Sequence, residues 1–70
     1  MERGDFVTLS RDDDAIVAMV TLVSDNRRSV MLMFDGAFAG HYGSIPVLMD
    51  DDGVYRSIAD HRVVTITPEA

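Results

Sequence analysis

Residues 15–23, AIVAMVTLV, hold no charged side chain and show no alternation of apolar with polar positions. A strand with one face in water shows that alternation, because successive side chains point to opposite sides. Here the even positions Ile16, Ala18, Val20 and Leu22 are apolar. So are Ala15, Val17, Met19 and Val23 among the odd ones, with Thr21 the exception. After a polar cluster at 24–28, residues 30–34 repeat the pattern, with Val30, Leu32 and Phe34 on one side and Met31 and Met33 on the other. Two such runs joined by a short polar connection predict an antiparallel hairpin. Antiparallel sheets commonly keep one face wet; this hairpin has two dry ones.

The rest of the residue usage points the same way. There is no Lys and no Gln, and Glu stands only at positions 2 and 69, so the helix-forming vocabulary is thin. Against it stand nine Val, four Ile and four Thr, the β-branched residues that favour pleated surfaces. The expectation is an all-β chain forming one small domain over residues 1–70. A domain of this size buries roughly 60% of its unfolded surface, and its core rarely supplies more than about 3–5 kcal/mol. The absence of cysteine removes disulfides and thiolate zinc sites. What remains is a partner subunit, a metal held by oxygen or histidine, or an unusually well-packed core.

Turn signals divide the chain into strands at 6–9, 15–23, 30–34 and 45–49, a short strand with a helical turn over 54–61, and a last strand at 63–67. Pro46 lacks an N–H and predicts an edge or strand-start position. Five short strands with a compact turn before the last resemble the layout of a small SH3-like barrel. The fold expected is therefore a five-stranded antiparallel sheet or SH3-like barrel, closed within the chain or completed or domain-swapped in a dimer.

On this reading Val20, Leu22, Leu32 and Phe34 fill the core, while Met19, Met31 and Met33 form a self-association face, methionine being adaptable and enriched at interfaces. The competing reading is a strongly bent hairpin whose two halves line one core from different sides. Register decides the faces. A three-residue loop sets Leu22 opposite Leu32, and a two-residue loop sets it opposite Met31.

A second candidate is the segment 35–43, where Gly36, Gly40 and Gly43 frame Phe38, His41 and Tyr42. Aromatics and a histidine on a loop are where ligands tend to bind, and here Phe38, His41 and Tyr42 form the candidate ligand loop. The glycine spacing is not that of a dinucleotide motif and no phosphate-pairing Lys accompanies it. His41, Ser44 and Asp35 within one short loop make a poor nucleophile, base and orienter, so no catalytic residue is assigned. The triplets Asp12-Asp13-Asp14 and Asp50-Asp51-Asp52 could offer oxygen ligands to a hard cation. Their plainer role is as solvated turns, and no metal or cofactor is assigned. Arg27 and Arg28 at the hairpin tip are candidates to meet an acidic triplet of a neighbouring subunit.

Ten Asp and two Glu against six Arg give a formal charge of −6. Phosphate contacts need surplus cations, so nucleic acid and anionic membrane are disfavoured as partners. A charged N-terminal segment and the lack of a long apolar run predict a cytoplasmic protein. The function expected is a non-enzymatic domain for protein–protein interaction, most simply with itself as a homodimer. The alternative is binding of a small ligand or metal through the 36–43 loop and the aspartate turns.

Overall fold

The computed structural model describes residues 1–69. They form six strands and no helix: β1 (Phe6–Arg11), β2 (Asp14–Val23), β3 (Ser29–Phe38), β4 (His41–Met49), β5 (Tyr55–Ser57) and β6 (Thr65–Pro68). None of the described residues therefore makes a helix long and apolar enough to cross a membrane. All six strands belong to one antiparallel sheet in the order β5-β4-β3-β2-β1-β6.

Local chemistry sets the turns. Asp12 (φ 53°) opens the two-residue turn between Arg11 and Asp14, using the tolerance of Asp for left-handed backbone. Between Phe38 and His41 only Ala39 (φ 52°) and Gly40 (φ 82°) intervene. Positive φ at both positions is the signature of the type I′ turn, whose twist matches that of its strands. At the β4–β5 turn, one oxygen of Asp50 accepts from the amides of Asp52 (3.0 Å) and Val54 (3.1 Å).

The sheet curls around its own inner face. Val7 and Leu9 of β1, Ala18 and Val20 of β2, and Val30, Leu32, Phe34 and Phe38 of β3 meet Ile45 and Val47 of β4 and Val64 in one core. Phe34 and Phe38 stack edge to face, with centroids 6.2 Å apart at 72°. The curl brings residues 62–64 alongside β5 through a bridge from Arg56 to Val63. The Ser57 amide donates to the Arg62 carbonyl and the Val64 amide to the Tyr55 carbonyl, both at 2.9 Å.

The all-β expectation holds, with six strands rather than five. The additional one is β5, the short strand expected within 54–61; it is three residues long, and 58–60 turn after it without forming a helix. It exists because it pairs with β4, as Val47↔Ser57, Leu48↔Arg56 and Met49↔Tyr55. The second correction concerns segment 35–43, which is not a loop but the end of β3 and the start of β4. Its glycines serve a two-residue turn and an irregularity in pairing between Met33 and Ala37, where Gly36 has φ 99°. Pro46 lies inside β4, not at its start. The amide of Met49 donates to the Arg28 carbonyl at 2.7 Å, which sets the alternation and turns the Pro46 nitrogen away from β3. It faces the end of the β5 pairing, so the one bond it withholds is the return of the donation from the Ile58 amide to the Pro46 carbonyl (3.1 Å).

Candidate interaction face

The third correction locates the site. β2 and β3 pair as Met19↔Met33 and Val20↔Leu32, then resume as Leu22↔Met31 and Val23↔Val30. One extra residue, Thr21, is accommodated on β2 as a bulge, and its hydroxyl donates to the Met31 carbonyl at 3.2 Å. Upstream of the bulge the even residues of β2 point inward. Downstream the parity is reversed: Val23 packs against the core and Leu22, expected in the core, is 62% exposed. Near the hairpin tip the register is the one a two-residue loop would give, and the bulge shifts it by one further along.

β2 changes which residues it sends to the core along its length, and an apolar outer face exists as well. That face is read off the registers as two rows across the sheet. One runs Ser44, Met33, Met19, Phe6 over β4, β3, β2 and β1. The other runs Pro46, Met31, Leu22, and Ile58 extends it because its amide donates to the Pro46 carbonyl at 3.1 Å. Neither row contains a charged side chain.

Met33 is 53% exposed, Phe6, Leu22 and Ile58 are exposed, and Met19, Met31 and Pro46 are half-buried between their neighbours. Val17, next along β2 on the same side, is exposed too. Met19, Met31 and Met33 are therefore brought together, as expected. Phe6, Leu22, Pro46 and Ile58 join them unforeseen. Phe6 was legible in principle, since it precedes two residues of β1 that alternate with Thr8, but only the Phe6↔Met19 register connects it to the methionines.

Phe38 and His41 are direct cross-strand partners at the β3–β4 turn, whereas Tyr42 points to the opposite face. Phe38 is 2% exposed and lies in the core, whereas Tyr42 is 83% exposed. His41 is half-buried, and its Nε2 lies 3.5 Å from the Oγ of Ser57, a residue with no exposed surface. Ser44, the serine considered as its partner, sits opposite Met33 on β3. His61 is an exposed turn residue (φ 62°) whose amide donates to the Ser57 carbonyl at 2.8 Å.

Three of the six aspartates in the two triplets, and Asp60, pair with the chain's own arginines. Asp12 pairs with Arg62 (3.2 Å), Asp51 with Arg28 (2.8 Å), Asp50 with Arg56 (3.1 Å) and Asp60 with Arg11 (3.2 Å). Arg27, 3.8 Å from Glu2, also finds an acid within the chain. Arg27 and Arg28 at the tip thus each have an acidic neighbour within the chain. Amide donation from Val54, followed by the Arg56 guanidinium, holds the Asp50 carboxyl below its usual range. The Arg62 amide, with Arg11 beside it, does the same for Asp60. No group of three or more His, Asp or Glu side chains among the described residues is arranged to hold a metal ion. Comparison with family models, with curated proteins and with solved structures gave no match to this chain.

Proposed function

We propose that this protein is a non-enzymatic β domain that self-assembles, two copies meeting through the outer face of the β4-β3-β2-β1 sheet. The observation that carries the reading is the pair of apolar rows, seven of whose eight positions are apolar. Taking about 150–200 Å² for a fully exposed side chain of this size, the exposed fractions of Phe6, Val17, Leu22, Met33 and Ile58 offer on the order of 500 Å². That lies toward the upper end of the largest apolar patch on an ordinary monomer, about 300–600 Å². Two such faces together, with their half-buried neighbours and polar rim, reach the lower bound of roughly 1,200 Å² for a specific interface.

Charge favours a second copy over nucleic acid. Five of the six arginines are engaged with carboxylates of the same chain, and the molecule carries −6. The acidic residues crowd the turns at the two ends of the strands, leaving the rows uncharged. The compact turn at 58–61 ahead of β6 and the curl of the sheet agree with an SH3-like barrel as the scaffold behind this face.

Light scattering coupled to size-exclusion chromatography tests the proposal. The protein should elute at twice 7.7 kDa, and Met33→Asp should elute as a monomer with its β-sheet spectrum intact. Added salt should tighten the wild-type dimer, because it screens repulsion between two acidic copies. A wild-type monomer at millimolar concentration would refute the reading.

A further inference from the structure

Leu22 is the most exposed aliphatic side chain of the outer face, and the bulge at Thr21 put it there. Leu22 also forms one wall of an open depression of about 390 Å³ in the sheet, lined further by Ser24, Ser29, Met31, Pro46 and Ile58 and floored by Val30 and Val47. The depression is shallow, broadly open to solvent and almost wholly apolar in its lining, which suits contact with an apolar side chain. A projection and a recess thus lie next to each other on one surface. Self-complementarity of this kind is what a two-fold symmetric contact requires, since the same patch must serve both copies.

We infer that the dimer is isologous and anchored by Leu22, each copy inserting this side chain into the Met31–Pro46–Ile58 depression of the other. The inference rests on the self-association reading above and specifies its geometry. The register gives the position of the axis. Leu22 on β2 and Pro46 on β4 flank Met31 on β3, each one strand away, or about 4.8 Å. A two-fold axis lying over Met31 and parallel to β3 carries Leu22 of one copy to a point above Pro46 of the other. Met31 then faces its own counterpart across packed sheets about 10 Å apart. Thr8 on β1 is two strands from this axis, so its two copies lie roughly 20 Å apart. The rows carry no charge, so this approach buries no unpaired ion.

Two measurements test the geometry. Leu22→Ala removes two anchors per dimer from an already exposed position, so the variant should fold normally and dimerise at least tenfold more weakly in sedimentation equilibrium. The chain has no cysteine, so Met31→Cys and Thr8→Cys each provide a single thiol for a short bis-maleimide spanning about one sheet-to-sheet gap. The position-31 variant should cross-link into a covalent dimer and the position-8 variant should not. If Met33→Asp disperses the dimer while Leu22→Ala does not, or if both thiols cross-link alike, the Leu22 anchor is wrong and the interaction face survives. If the wild type is monomeric, both fall, and the face belongs to a different occupant.

Discussion

Ala39 should not be the best residue at position 39. It sits at φ 52° as the first central residue of the β3–β4 turn, and left-handed backbone places the Cβ of an ordinary L-residue too near the following carbonyl, at a penalty of roughly 1–2 kcal/mol. Asn visits this region far more readily and, followed by Gly40, completes the sequence most favoured for a type I′ turn. Ala39→Asn also keeps the Cβ that packs against the core. Allowing for partial relief, the variant should gain about 0.5–1 kcal/mol. Unfolding entropy of roughly 2.1 cal/mol/K per residue converts that into a rise of about 3–7 °C in melting temperature for a chain of 70 residues.

Two companion variants separate causes. Ala39→Gly removes the left-handed penalty but adds about 0.5–1 kcal/mol of unfolded-state entropy, so it should fall near wild type. Ala39→Pro cannot adopt positive φ and should destabilise by more than the Asn variant stabilises. Melting followed by far-ultraviolet circular dichroism, at one fixed protein concentration so that association does not shift the midpoint, reads all three. If Asn lowers the midpoint while Pro leaves it unchanged, residues 38–41 do not form this turn and β3 does not run to Phe38.

Phe38→Ala should cost about 3–5 kcal/mol, as for other buried aromatics, and leave the domain largely unfolded at 25 °C by urea titration; a folded variant would return Phe38 to the list of ligand residues. Acid should expose the carboxylate turns. Asp60 has a folded pKa below its unfolded value of 3.8, so its contribution is complete above about pH 4 and fades as pH falls through the folded value. The stability gap between wild type and Asp60→Asn, measured by urea titration, should therefore narrow below about pH 4. A gap unchanged down to pH 2 would remove Asp60 from the acid response.

Much of the fold was legible because its strongest signals are local. The apolar runs at 15–23 and 30–34, the β-branched bias and the turn-forming aspartates required only period and residue type to read. The methionine face followed from the same counting. Leu22 escaped because a bulge at a threonine has no marker in the sequence, and one inserted position reverses every later side chain on the strand. β5 was legible only as a short strand somewhere within 54–61, because three residues held by pairing to β4 carry no period. Gly36, Gly40 and Gly43 read as a loop in the sequence, since glycine marks a tight turn and a bulged strand with the same letter. Strand geometry also divides the candidate ligand loop: Phe38 and His41 face each other across the turn, while Tyr42 points to open water.

The two borders of the sheet bear on a different matter, whether these molecules can polymerise. One border, β5, is lined by the chain's own residues 62–64 through the Arg56–Val63 bridge. On the other, β6 pairs with β1 through Thr65 and Thr67, which leaves only Ile66 and Pro68 turned outward. Pro68 has no N–H, so Ile66 alone can both donate and accept there. Strand-by-strand addition, the route by which exposed sheets grow into fibrils, thus has almost no template. In the dimer proposed above, a two-fold contact between faces would close after one partner. Such a molecule would accumulate as discrete particles without seeding a filament.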